Sequence, residues 1–538
     1  MYDYIIVGAG SAGCVLANRL SADPSCRVLL IEAGPRDRHP FIHMPAGLSR
    51  LVKHRAVNWN YDTEPQAALD GRRLWWPRGK VLGGSSSINA MCYVRGVPGD
   101  YDDWARAGAE GWDWASVLPY FRRSECNAEG ADALHGGDGP LHVGALRHRN
   151  PLSEAFVSAG VQAGLAPNPD FNGPTQDGVG FYQVTQKDGA RCSAAAAYLR
   201  PVRTRRNLQV LTGVHVRQLL LQGGRATGVA YAHRGLAHTV RAAREVLLCA
   251  GAVNSPQLLM LSGIGPAAHL RALKLPVRVD LPGVGGNLQD HLDICTLVHT
   301  VPGVSYDRAS ELAIAFHYFL RGRRGAGTSN IAEAGGFFRS ALAQDGRADI
   351  QLHFVPAMLD DHGRHRLPGD GYTLHACFLR PRSRGTLRLR DADPRSAPAI
   401  DPAYLSDADG FDRRMMRECA LLSRRILAQP AFDRWRGAPI FPARDDLDDA
   451  GLDAFIRAKA ETIYHPAGTC RMGAAADPDA VVDAELRVRG VDALRVVDAS
   501  VMPTLPGGNT NAPVIMLAER AADLILGAAA HPTQPPPL

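Results

Sequence analysis

The 538-residue chain has no run of 18 or more apolar residues, so nothing in it reads as a membrane-spanning helix. Lysine is scarce, at five of the 60 basic residues, and the arginines are scattered rather than gathered into a stripe. A net charge of +6 spread in this way argues against nucleic-acid binding, which calls for a clustered basic patch. None of the ten cysteines has a neighbour at C-x-x-C or comparable spacing, so no metal site is expected. Isolated cysteines inside apolar runs read instead as buried thiols of a reducing compartment. The start lacks the basic stretch, apolar run and cleavage site of a signal peptide. Tyr4–Val7 leads straight into glycines that belong to the fold, which points to a cytoplasmic protein. With 46% hydrophobic and 21% charged residues, the chain is an ordinary globular one. Its length is that of about three folding units.

The first thirty residues carry a complete local signal. Tyr4-Ile5-Ile6-Val7 is a buried-strand pattern, followed by Gly8, Gly10 and Gly13 in G-x-G-x-x-G spacing. Cys14 to Leu20 then reads as a helix, and Arg27 to Ile31 as a second strand ending at Glu32. This is a βαβ dinucleotide fingerprint. Gly8 allows the tight turn, Gly10 lets backbone approach a pyrophosphate, and Gly13 lets helix and strand pack closely. The helix N-terminus faces the phosphates. Glu32 suits ribose hydroxyls and repels a 2′-phosphate. The fingerprint does not by itself separate FAD from NAD.

Further motifs follow in order. Arg78-Gly79-Lys80-Val81-Leu82-Gly83-Gly84-Ser85-Ser86-Ser87-Ile88-Asn89 offers backbone N–H groups and hydroxyls suited to a phosphate or flavin cradle. Arg244 to Ala250 reads as a strand entering Gly251-Ala252-Val253-Asn254-Ser255-Pro256 and a short helix ended by Gly263. Near the C-terminus come His465-Pro466-Ala467-Gly468-Thr469, Asp498-Ala499-Ser500 and Gly507-Gly508-Asn509-Thr510-Asn511. Together these resemble the glucose–methanol–choline (GMC) family of FAD-dependent alcohol oxidoreductases, over essentially the whole chain except the proline-rich end. The family's two signatures match the stretches beginning at Gly79 and Gly251. Phe181 to Lys187 and Thr328 to Phe337 are most similar to bacterial aliphatic alcohol dehydrogenases of alkane degradation. Choline dehydrogenases come next, then hydroxymethylfurfural and aryl-alcohol oxidases.

The resemblance implies an α/β Rossmann-like FAD-binding domain, built from 1–155, 190–300 and 460–538. An α+β substrate domain, with an antiparallel sheet as its floor, would take 156–189 and 301–459. Thr373 to Phe378 and Thr386 to Leu389 supply β-type stretches for that floor. Residues 531–538 read as a disordered tail.

The resemblance also implies roles. Oxidising an alcohol with a flavin requires loss of the hydroxyl proton, stabilisation of the alkoxide and hydride delivery to N5. His465 stands where the family keeps its base. Asn509 replaces the second histidine of some members, as in choline-type relatives, so it can hold the alkoxide but cannot act as a base. Gly8, Gly10, Ser11, Gly13, Glu32 and Ala33 would hold the ADP part of FAD, with the Val216 backbone on the adenine. Arg78, Gly79, Gly83, Ser85, Asn89, Ala90 and Met91 would line the pyrophosphate and flavin edge. Ala250, Asp498, Ala499, Thr510 and Asn511 would lie along the ribityl and pyrimidine side. Tyr93, Glu333, Ile463 and Tyr464 would border the substrate.

Two departures carry further expectations. Certain choline oxidases attach FAD through a histidine where this chain has Ile88, so FAD is expected to bind non-covalently. Choline dehydrogenases carry an aromatic where this chain has Ala332, and an ammonium ligand wants an aromatic cage. Neutral primary alcohols, aliphatic or aromatic, are therefore favoured as substrates. Electrons would pass to a quinone or other acceptor. An oxidase making hydrogen peroxide and a choline dehydrogenase are the alternatives. A quinone acceptor would imply peripheral contact with the inner membrane face, although no strongly amphipathic helix stands out in the sequence.

Overall fold

The computed structural model describes residues 1–444 and 446–527. The expected tail lies outside the described residues. Two seven-stranded sheets organise the chain. In the first, the strand Tyr2–Val7 sits centrally, parallel to Val28–Glu32 on one side and to Leu236–Leu248 on the other. Leu208–Thr212 and Leu494–Val496 extend the parallel part. Val28–Glu32 is buried throughout, as a strand covered on both faces must be. The strand Leu236–Leu248 serves two partners. Its last residues pair in parallel with Tyr2–Val7, while its exposed first half forms an antiparallel meander with Arg225–His233, which in turn pairs with His215–Gln222.

The second sheet is wholly antiparallel, in the order Arg436–Phe441, Leu292–Thr300, Gly371–Phe378, Ile350–Val355, Ala334–Phe338, Gly178–Phe181. Glu461–Thr462 adds to Leu292–Thr300. Both elements were assigned to the cofactor side by sequence, and both belong to the antiparallel sheet. Leu292–Thr300, LDICTLVHT, is buried over its first seven residues, and a short buried strand of this kind does not say in sequence which of two sheets it joins. Thr386–Arg388 also moves: it pairs with Ala399–Asp401 in a separate ribbon instead of joining the floor. A single buried apolar cluster runs from Tyr4 through Phe354 and Met415 to Ala522, so the two sheets share one core.

Three helices start at the space between the sheets: Ser11–Leu20, Gly251–Leu261 and Asn511–Leu526. In none of them does the residue before the helix cap the N-terminus with its own side chain. First-turn N–H groups left without a partner of this kind are ready for an anion or a polar ligand. Among the described residues, no helix is long and apolar enough to cross a membrane.

Candidate active site

A cavity of about 710 Å³ runs between the two sheets from Glu32 to His465 and Asn509. At the Glu32 end its wall is largely backbone. The Glu32 carboxylate accepts from Ala9 N and Gly34 N, at 2.9 and 2.8 Å, and burial pushes its pKa up to about 7. Gly84 sits against Gly10: a Cβ on Gly84 would lie 2.6 Å from Gly10 Cα, and its φ of +54° already favours glycine. Asp498 accepts from Gly251 N and Ser255 Oγ, fastening the start of one open helix. Ser11 Oγ donates to Asn511 Oδ1 at 2.7 Å, joining the starts of the other two.

The far end is built from side chains. His291 Nε2 lies 3.1 Å from the Leu379 carbonyl, which can only accept, so this nitrogen carries the proton. Burial pushes the His291 pKa down to about 3, leaving its Nδ1 with a lone pair. That lone pair faces His465 Nδ1 at 3.0 Å, so His465 donates there and keeps its own Nε2 unprotonated. Asn509 Nδ2 lies 3.2 Å from His465 Nε2, and Gln351 Nε2 donates to Asn509 Oδ1 at 3.0 Å, which fixes the way the amide points. Burial, then His291, His353 and the Arg78 guanidinium, holds the His465 pKa well below the usual histidine value. The imidazole is neutral. Its backbone N–H donates to Asp290 Oδ1 at 2.7 Å, and Arg78 Nη2 donates to the Tyr464 carbonyl.

Most of the residues expected from sequence line this cavity. Gly8, Gly10, Ser11, Glu32, Ala33 and Val216 are at one end. Arg78, Gly79, Ser85, Asn89, Ala90, Met91, Ala250, Asp498, Ala499, Thr510 and Asn511 follow, and Ile463, Tyr464, His465 and Asn509 lie at the other end. Four expected residues do not line it. Gly13 is packed on the Gly8 carbonyl, and Gly83 makes a turn with φ +89° whose N–H donates to Ala9 O. Tyr93 is buried in the core with its hydroxyl accepting from Arg95 Nε at 3.2 Å. Glu333 is fully buried and accepts from Asn150 N, Ser153 Oγ, Tyr306 Oη and Ser329 Oγ. Four donors leave no capacity for a substrate cation, so Glu333 is a structural clasp between segments.

The sequence reading missed His291, Gln351, His353 and His375. A histidine in the middle of each of two apolar strands was the available signal, since His353 and His375 are directly paired across neighbouring strands. Strand pairing also gathers Asp293, Cys295 and His375, three metal-capable side chains that cysteine spacing could not reveal. Here His375 Nδ1 and Asp293 Oδ2 are hydrogen-bonded at 2.6 Å.

A sheet of the dinucleotide-binding type that shares one cavity with a neutral imidazole marks an oxidoreductase built around a nucleotide cofactor. The chain belongs to the GMC oxidoreductase family, matching it over residues 2–293 and 381–518. It is 50% identical to an alcohol dehydrogenase [acceptor] of Pseudomonas putida, covering 98% of this chain and 96% of that one. It is 47% identical to the mitochondrial choline dehydrogenase of Mus musculus, covering 99% and 90%. Pyridoxine 4-oxidase from Mesorbium loti superposes with a TM-score of 0.88 at 37% identity, over 97% of this chain and 98% of that one. The family's cofactor is FAD, and the residues here fit it. Glycine backbone and open helix ends can take the pyrophosphate, Glu32 the ribose, and the start of Asn511–Leu526 a negatively charged edge of the ring.

Proposed function

We propose that this oxidoreductase converts neutral primary alcohols to aldehydes, with His465 as the base and Asn509 as the group that holds the alcohol oxygen. The observation that carries the reading is the His291–His465 contact, which leaves His465 Nε2 unprotonated beside the Asn509 amide. A hydroxyl placed there gives its proton to Nε2, while the Asn509 N–H turns to the alkoxide. Bound FAD supplies the hydride acceptor. Ala332, Val355, Leu359 and Ile463 give this end an apolar wall. Glu333 is not on that wall, and Ala332 puts no aromatic ring beside it, which disfavours a quaternary ammonium substrate such as choline.

FAD is held without a covalent bond in this reading, because the buried Ile88 offers no nucleophile where a linking histidine would stand. Acid precipitation should then leave the yellow colour in the supernatant. The electrons go to a quinone or similar acceptor rather than to O2. The test is anaerobic: the yellow holoprotein is mixed with butanol, octanol, benzyl alcohol or choline. Bleaching by the neutral alcohols and not by choline is expected, with colour returning on addition of a quinone. Bleaching by choline alone would overturn the substrate assignment, and fast re-oxidation in air with peroxide would overturn the acceptor.

A further inference from the structure

The helix Glu311–Leu320, sequence ELAIAFHYFL, is apolar on nearly every side, as a helix buried all round would be. It lies at the surface. Leu312 is 85% exposed, Leu320 73%, Phe319 49% and Phe316 46%. Positions 312, 316, 319 and 320 follow i, i+4, i+7, i+8 spacing, so these four side chains share one face. The opposite side is moored by Tyr318, which is buried and donates from its hydroxyl to the His43 carbonyl at 2.7 Å. The outward stripe is thus a fixed feature of the fold, held open to water at a cost in apolar exposure.

The loop that follows is basic: Arg321, Arg323 and Arg324 are all exposed, and among the described residues no carboxylate pairs with any of them. Arg321 lies over the Phe316 ring, which joins the cationic loop to the apolar stripe. The same place is the entrance to the cavity. Glu311, the first residue of the helix, lines it and pairs with Arg50, while Lys53 and Arg364 are exposed on its lining.

We propose that the outer face of Glu311–Leu320, with the arginine loop after it, is an interfacial surface that seats the cavity entrance on an anionic phospholipid bilayer. Apolar side chains entering the headgroup boundary beside cations that meet lipid phosphates are the two components of such binding. Charge names the occupant: Arg321, Arg323 and Arg324 stand beside the stripe without carboxylate partners among the described residues, and an anionic bilayer satisfies the stripe and the loop together. An entrance held against the bilayer gives apolar alcohols and lipid-soluble acceptors a path that avoids water. The surface stands independently of the alcohol reading, since it rests on exposure and charge alone.

The test spins the FAD-loaded full chain with phosphatidylcholine vesicles, with and without added phosphatidylglycerol. Pelleting with the anionic vesicles, weakened by salt, is expected. Phe316→Glu combined with Phe319→Glu should lower the bound fraction about tenfold or more. Flavin reduction by dissolved benzyl alcohol should be unchanged in that variant. Arg321→Glu with Arg323→Glu and Arg324→Glu, all on an exposed loop where folding is not at stake, should lower it about as much. No pelleting of the parent chain, or pelleting unaffected by either variant, would overturn the proposal. So would a parent dimer in light scattering that the phenylalanine variant dissociates. If no alcohol bleached the flavin, the vesicle result would still decide this surface.

Discussion

The two ends of the cavity are built from different materials. Around Gly10, Gly84 and the open helix starts, recognition is by backbone, and what matters is the absence of side chains. Around His465, recognition is by side chains that orient one another in series, from Leu379 through His291 to His465, and from Gln351 through Asn509 to the same imidazole. The first end depends above all on its glycines staying small, with Glu32 and Asp498 as its side-chain anchors. The second is sensitive to every member, because each fixes the proton or the direction of the next.

Gly84→Val should break the backbone end most completely. Its Cβ would collide with Gly10 across the cradle, at a φ that a β-branched residue rarely adopts, so the protein should purify without flavin absorbance and without activity. His465→Ala does the converse, keeping the yellow colour while flavin reduction by alcohol slows by about 100-fold or more in stopped flow. Near-normal reduction in that variant would remove His465 as the base.

His291→Phe sharpens the comparison further. The fold is kept, but His465 Nδ1 loses its acceptor and the tautomer is no longer fixed, so reduction should slow by about tenfold. The pH dependence carries a sign. A base works unprotonated, and burial with its neighbours holds the His465 pKa well below the usual value. Flavin reduction should therefore stay flat as pH falls through 6.5 and decline only well below it. Removing His291, one of the groups that disfavours the imidazolium, should move that decline to higher pH. An unmoved decline would show that His291 has no such influence. The smallest effect on turnover belongs to Glu333→Gln: KM for benzyl alcohol should not change, while four buried donors lose a carboxylate and stability falls by about 1–3 kcal/mol, read as a lower melting temperature. A raised KM with unchanged melting would return Glu333 to the substrate.

The same contrast explains what could be read without coordinates. The glycine fingerprint, Glu32 and the open helix starts are local: spacing along one strand, one turn and one helix contains their geometry. His465 and Asn509 were legible because each lies within a motif. Tyr93 and Glu333 also sat in family-like stretches, yet they turned into the core: Tyr93 joins the buried cluster with Arg95 on its hydroxyl, and Asn150 and Ser153, which claim Glu333, are brought to it by the fold. The outer helix escaped notice for a related reason. An apolar ten-residue run reads as core, and only its place on the surface shows that four of its side chains face water.

The sequence by itself determined the nucleotide-binding βαβ unit and the family, because short-range backbone chemistry fixes the residue types that unit needs and the ordered motifs carry the family. Which nitrogen of His465 carries the proton was decided only when the residue before the Leu292–Thr300 strand met the loop after Thr462, from 174 residues away in the chain. The gathering of His353, His375 and Asp293 was likewise decided by strand register, since pairing across a sheet sets neighbours that no spacing along the chain encodes.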